Sequence, residues 1–376
     1  MVNHKYLSPR RVLKFLLQIS GCRSLPPENF FYASFLHLNI YPKLIVFELT
    51  HRCNLRCVMC PFSVMRQDDT QKELSLDEIR RLIDLISICR VKPYVSVTGG
   101  EPFLRQDLFD ILQYLELRRI KYCIFTNGTI LNEDIIKKIA ILRPDLFRFS
   151  IDGPREIHDE IRGSFGAFNK TVEMIRILKQ KSNIRMLATC VIQALNTGYL
   201  EEVADTLENL SIDLCFQHLG FTVAEAVTRQ KEIMRNIFGR DDFILGESDK
   251  GLEKFDISTL IRSIEKIRKK QRKIKITFSP DLSSDQIYKY YNGIESFTIS
   301  DNCYFPWFSM LIDPYGNISV CRAMSYHLGN IKDENLFALY NNEKAKAFRG
   351  YIIRRLFPRC LRCAWCGFGD LLKTVF

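Results

Sequence analysis

Three cysteines fall within one short stretch, Glu48-Leu-Thr-His-Arg-Cys53-Asn-Leu-Arg-Cys57-Val-Met-Cys60-Pro61. The spacing C-x3-C-x2-C gathers three thiolates in a single loop. An iron–sulfur cluster of the [4Fe–4S] kind is normally held by four cysteines, so three leave one iron open to a small molecule. Structural zinc also takes four ligands, and His51, two residues from Cys53, approaches poorly for tetrahedral closure.

The flanks of the loop constrain the fold. Before it, Lys43-Leu-Ile-Val-Phe-Glu-Leu-Thr50 is a short, apolar, branched run that reads as a buried strand. After it, Ser75-Leu-Asp-Glu78 is a capping box, and Ile79, Leu82, Ile83 and Ile86 follow at helical spacing. Strand, loop, helix is the opening unit of a β/α barrel, with the loop at the carboxyl end of the strand, where such barrels place active sites. Strand-like runs recur at Pro93–Thr98, Tyr122–Thr126, Leu146–Ile151, Ile184–Ile192 and Leu214–His218. Helical segments at Asp107–Arg118, Asn132–Ile141, Ala167–Gln180 and Tyr199–Leu210 separate them. This alternation predicts an α/β fold with parallel βαβ units, and six strands suit a partial (β/α)6 barrel. The barrel is expected over residues 43–245, after an extension at 1–42. A less regular bridging segment at 246–300 and a small α+β region at 301–376 follow.

The cysteine loop resembles the signature of the radical S-adenosylmethionine (radical SAM) enzymes. In that family the open iron binds the amino and carboxylate groups of S-adenosylmethionine, and an electron from the cluster cleaves it to methionine and a 5′-deoxyadenosyl radical. The resemblance makes Cys53, Cys57 and Cys60 the ligands of the catalytic cluster. It puts Met59 in the place of an often aromatic residue near adenine. Thr98-Gly-Gly-Glu-Pro102 matches the motif that meets the cofactor's amino group, here Gly99, Gly100, Glu101 and Pro102. Thr126-Asn-Gly128 is either an ordinary turn or a neighbour of the ribose. Ser150-Ile-Asp-Gly-Pro154 and His158-Asp-Glu-Ile-Arg-Gly163 resemble the branch that carries an extra carboxyl-terminal cluster domain. There Ser150 and Arg162 would meet the ribose or the methionine carboxylate, a guanidinium suiting a carboxylate because it bonds in two places. His158 and Asp152 read as structural.

A second group comprises Cys303, Cys321, Cys360, Cys363 and Cys366. The Asp313-Pro-Tyr-Gly316 turn between two apolar runs is a hairpin signal that returns the chain and lets Cys303 and Cys321 approach. Paired C-x2-C ligands also occur in zinc sites. The order of cysteines closely resembles the SPASM or twitch region, which implies a second [4Fe–4S] cluster on Cys303, Cys321, Cys360 and Cys363. The two-cluster form carries seven or more cysteines; five imply one auxiliary cluster, with Cys366 read as a bystander.

Of 376 residues, 47% are hydrophobic and 26% charged, the balance of a soluble globular protein. Thirteen cysteines, eight of them in two groups, favour metal binding in a reducing, cytoplasmic setting over disulfides. The scattered Cys22, Cys89, Cys123, Cys190 and Cys215 read as small core residues. A net charge of +11 is spread out, and its densest run, Lys266–Lys275, closes a helical segment as a solvated face. No RNA-binding fingerprint accompanies it, so nucleic acid is not an expected partner. No stretch reaches the roughly 20 apolar residues of a membrane span. The segment Arg10–Cys22 reads as an amphipathic helix that packs on the protein or rests weakly on a membrane surface. The resemblance implies a reducing partner such as flavodoxin or ferredoxin, and abstraction of hydrogen from an unactivated C–H bond of a peptide or small natural product. Dehydrogenation or epimerisation of a sugar or aminocyclitol is the alternative within the same chemistry. An iron–sulfur electron-transfer protein is the alternative outside it.

Overall fold

A computed structural model describes residues 40–60, 72–89, 91–130, 132–239, 255–292, 297–299, 303–324 and 326–363. The expected Arg10–Cys22 helix, Cys22 and Cys366 lie outside these residues.

All six expected strands form: β1 (Leu44–Glu48), β2 (Tyr94–Thr98), β3 (Tyr122–Thr126), β4 (Leu146–Ser150), β5 (Met186–Ile192) and β6 (Asp213–His218), each parallel to the next. The intervening helices are α1 (Leu76–Ser87), α2 (Leu108–Leu117), α3 (Glu133–Ile141), α4 (Arg155–Arg162), α5 (Ala167–Lys181) and α6 (Leu200–Asn209). The capping box at Ser75 is present with both reciprocal bonds, and α1 buries Ile79, Leu82, Ile83 and Ile86.

The sheet continues past these six strands at both edges. After α7 (Ala224–Phe238) and α8 (Ile257–Lys269), the segment read as a bridge supplies β7 (Ile276–Ser279), parallel to β6. Helix α9 (Ser284–Tyr291) follows. At the other edge β8 (Ser309–Ile312) runs parallel to β1, and β9 (Asn317–Ser319) and β10 (His327–Asn330) add an antiparallel meander. The sheet thus has ten strands in the order β10-β9-β8-β1-β2-β3-β4-β5-β6-β7. Short β7, with one buried position among four, carries too little apolar signal to be read as a strand. The basic run beside it is fastened rather than free: Lys266 pairs with Glu201 at 3.2 Å, Lys270 with Asp205 at 2.8 Å and Arg272 with Glu208 at 2.9 Å.

Side chains alternate between the two faces of each strand. The convex face packs Phe47, Val97, Ile124, Phe147 and Phe216 against the helices. On the concave face Leu44, Val46, Tyr94, Cys123, Leu146, Leu187, Cys215 and Leu311 form a second cluster. This cluster runs continuously across the sheet from Leu311 of β8 to Cys215 of β6. Each fully buried Leu, Ile or Phe contributes roughly 1.5–3 kcal/mol. Cys123, Cys190 and Cys215 are buried among these residues, as small apolar side chains. Helices α10 (Phe305–Phe308), α11 (Leu336–Tyr340) and α12 (Glu343–Ile352) complete the carboxyl-terminal region. Among the described residues no helix is long and apolar enough to cross a membrane.

Candidate active site

The first cysteine loop leaves β1 and is clamped from two sides. Toward β2, Leu49 N–H donates to Thr98 O at 2.9 Å, Gly100 N–H to Thr50 O at 2.7 Å and Glu101 N–H to Arg52 O at 2.8 Å. A Cβ at Gly99 (φ +130°) would lie 2.3 Å from Thr50 O, and one at Gly100 2.2 Å from Arg52 O. The two glycines are therefore required by the loop itself, whose backbone lies against theirs. Toward α4, Arg56 N–H donates to Arg162 O at 3.2 Å and Val58 N–H to Ile161 O at 3.0 Å. Arg105, which the sequence reading passed over, is buried beneath and donates to Leu49 O at 2.9 Å and Leu74 O at 2.5 Å.

Polar groups converge on the sulfurs. Arg162 Nη1 donates to Cys57 Sγ at 3.6 Å, and its Nη2 lies 2.5 Å from Asp152 Oδ2. Asp152 is fully buried and also accepts Val191 N–H at 2.8 Å. Arg162 thus bonds a thiol and a carboxylate of its own chain. Burial pushes the Cys57 thiol up, with Arg162 opposing and Cys60 adding to it. Asn127 Nδ2 reaches Cys53 Sγ at 3.9 Å and Asn54 Oδ1 at 2.9 Å, so the Thr126–Gly128 turn also braces the loop. Gln193 Nε2, another residue without a sequence signal, donates to Met59 Sδ at 3.7 Å.

Glu101 is fully buried, and its carboxylate is taken up by Phe103 N–H at 3.2 Å, the Thr126 hydroxyl at 2.9 Å and Asn127 N–H at 2.8 Å. It orders two adjacent strand ends rather than facing open space. Burial pushes its carboxyl up to about 7, against those three bonds. Pro102 opens a short 3-10 turn, and Ser150 stands half-buried at the end of β4. His158 Nδ1 accepts Asp152 N–H at 3.1 Å, and burial, with Arg162 nearby, pulls the ring down to about 3. Its structural reading agrees with that neutral, buried position.

The second group gathers from three separate places. Cys303, Cys321, Cys360 and Cys363 line one cavity, together with Phe305 and Met324. The hairpin expected at Asp313–Gly316 forms, with Leu311 opposite Ser319 and Gly316 at φ +93°. Cys360 and Cys363 sit on a 3-10 turn that is bolted to the barrel. Arg362 Nε donates to Tyr290 O at 2.9 Å, the Tyr290 hydroxyl donates to Leu219 O at 2.7 Å, and Arg359 Nη1 to Thr222 Oγ1 at 2.5 Å. Burial pushes the Cys321 and Cys360 thiols well up, and the other cysteines of the group add to both. Such crowding of thiols favours a cationic occupant that displaces their protons. A zinc ion, with Zn–S near 2.3 Å, would need sulfurs within about 4 Å of one another. Among the described residues no three His, Cys, Asp or Glu side chains stand so close together as to hold a single ion. Four thiols around one cavity match the donor set of an iron–sulfur cluster.

A buried chain connects the two cysteine regions. Glu48, at the end of β1, lies 3.2 Å from Nε of Arg322, the neighbour of Cys321, and 3.4 Å from His51 Nε2. Burial opposes ionisation of Glu48, but Arg322 and His51 more than offset it and hold the carboxyl below its usual range.

Comparison with known proteins agrees with this geometry. The family model of the radical SAM superfamily matches residues 47–209, and that of the SPASM iron–sulfur cluster-binding domain matches 303–366. An AdoMet-dependent heme synthase of Methanosarcina barkeri is 34% identical over 168 residues, covering 44% of this chain and 46% of that protein. The chain thus aligns with about half the length of that relative. The subtilosin biosynthesis protein AlbA of Bacillus subtilis is 22% identical over 351 residues, 89% of this chain and 68% of that one. Among solved structures, Streptococcus suis SuiB bound to S-adenosylmethionine superposes with a TM-score of 0.61 at 13% identity, covering 95% of this chain and 87% of SuiB. Two cysteine regions and two matching family models make this chain a member of the radical SAM superfamily with a carboxyl-terminal SPASM iron–sulfur region.

Proposed function

We propose that the chain modifies a peptide by radical chemistry, abstracting hydrogen from an unactivated C–H bond. The observation that carries this reading is the match to AlbA, a bacteriocin biosynthesis protein, which runs through both cysteine regions and covers 89% of the chain. The fold is also that of SuiB, whose structure with its precursor peptide SuiA superposes with a TM-score of 0.61.

Cys53, Cys57 and Cys60 hold the catalytic [4Fe–4S] cluster, and the donor set fits: three soft thiolates, two of them facing N–H donors from Asn127 and Arg162. When bound, the cluster and S-adenosylmethionine supply an electron and a hydrogen-abstracting radical. The chain's own residues provide placement. Gly99, Gly100 and Pro102 offer backbone beside the loop to the cofactor's amino group, Glu101 fixes their geometry, and Met59, steadied by Gln193, packs near adenine. Ser150 presents a hydroxyl at the rim. Arg162 keeps negative charge on Cys57 tolerable, because a guanidinium beside a buried thiolate favours the charged form. Cys303, Cys321, Cys360 and Cys363 would hold one auxiliary [4Fe–4S] cluster, which would supply a one-electron redox centre, and a flavodoxin or ferredoxin would supply the reducing electron.

Anaerobic reduction of the fully reconstituted protein with S-adenosylmethionine should yield 5′-deoxyadenosine, and Cys57→Ala should yield none. Absence of the nucleoside from iron-replete wild type would overturn the radical assignment. A second reading, a porphyrin substrate, is favoured by the 34% identity to a heme synthase over 168 residues. Change in the absorption spectrum of an added iron coproporphyrin during turnover separates it from a mass change in a peptide.

A further inference from the structure

Arg148 stands in the middle of β4 and projects from its concave face. Its register neighbours are Phe125 on β3 and Leu187 on β5, both of which belong to the concave side. The residue is 5% exposed, so its charge is almost wholly withdrawn from water. One guanidinium nitrogen, Nη2, donates to Thr189 Oγ1 at 3.0 Å, and the cation lies 4.6 Å from the centre of the Phe125 ring. Among the described residues no carboxylate pairs with it, and its buried Nε has no hydrogen-bond partner. Two other sets of buried charges at the strand ends do have counter-charges, Glu48 with Arg322 and His51, and Arg162 with Asp152, while Glu101 is met by three hydrogen-bond donors. A buried cation without a counter-charge costs several kcal/mol, which the Thr189 hydroxyl and an aromatic face offset only in part.

The space beside it is open toward the carboxyl ends of the strands. Ser150, Thr189, Val191 and Gln217 are half-buried there, while the residues alternating with them are buried. A ligand entering between these half-buried strand ends would approach the guanidinium from the carboxyl side of β4. One fixed positive charge calls for one negative charge. The Thr189 oxygen accepts from Arg148, which leaves its own proton to donate. A guanidinium edge beside a hydroxyl donor fits the two oxygens of a carboxylate, whereas a phosphate dianion would remain half-compensated.

We propose that Arg148, with Thr189, binds a carboxylate of the substrate and so fixes how far the substrate descends into the barrel. Arg148 is a substrate-positioning residue, and the substrate class is thereby narrowed to molecules that present a carboxylate to the radical site. This deepens the peptide reading above and rests on the barrel hollow being the reaction chamber, but its test requires no turnover.

Thermal unfolding of the anaerobically reconstituted full chain is followed in sodium acetate, in sodium chloride of equal ionic strength and in acetamide. Wild type should gain about 2 °C or more with acetate, saturably, and not with the other two. Arg148→Met should lose that gain, Arg148→Lys should keep part of it, and Thr189→Val should weaken it. Without added anion, Arg148→Met should unfold at the same temperature as wild type or higher, because it removes an unmatched buried charge. The proposal is overturned if Arg148→Met is less stable than wild type without anion, since the guanidinium is then a structural brace. It is equally overturned if chloride matches acetate, or if the methionine variant still responds. Loss of the acetate response on adding S-adenosylmethionine would assign the guanidinium to the cofactor and overturn it too. Failure of 5′-deoxyadenosine formation would strike the radical assignment and leave the acetate result standing.

Discussion

The two cysteine regions reach their geometry by opposite routes. Cys53, Cys57 and Cys60 lie on one loop, held by backbone hydrogen bonds to Gly100, Glu101, Arg162 and Ile161. Their arrangement is therefore local to one loop. Cys303, Cys321, Cys360 and Cys363 come from a helix start, a hairpin end and a 3-10 turn, and they meet around a cavity. The difference is between a site that a fold carries and a site that helps make a fold.

Iron removal should expose that contrast most strongly. Structural metal sites contribute on the order of 10 kcal/mol to the folding of what they bind. Chelation should collapse amide-exchange protection in residues 303–363 and leave β2 to β5 protected; equal loss in both would break the contrast. A smaller effect belongs to the first region alone. Arg162→Met strands the buried Asp152 carboxylate without its cation, at roughly 3–5 kcal/mol. Denaturant titration should show that loss, and iron should be retained at the second site while the first is depleted. The smallest effect depends on pH. Burial raises the Glu101 carboxyl from an ordinary 4.5 to about 7, so the folded state holds a proton that the unfolded chain has released between those values. Stability of wild type relative to Glu101→Gln should therefore fall by about 3 kcal/mol as pH rises from 4.5 to 7, and level off above. A difference independent of pH would remove burial as the cause.

What the sequence disclosed divides along the same line. Cys53, Gly99 and Ser75 announce themselves because their spacing along the chain is the geometry they adopt. The six strands were legible from apolar runs, and the Asp313–Gly316 hairpin from its turn residues. Strand β7 was not, because its signal is pairing with β6 rather than its own composition. Arg105, Gln193 and Arg148 were invisible as well. Each acts on a partner tens of residues away, and only the register of the strands brings them together. Glu101 and Arg162 were found, but the partners they bond are their own chain's Thr126, Asn127, Cys57 and Asp152.

The pairing of β8 with β1 sets an order on synthesis. Leu44 and Ser309 are register partners, yet the ribosome makes Ser309 long after Leu44. Until then β1 presents an unpaired hydrogen-bonding edge beside the cysteine loop, a template for the wrong neighbour. A nascent chain of this length needs a holdase, or quick release, more than a barrel closed by its early strands would. When β8 arrives it closes the edge of the strand from which the cysteine loop leaves.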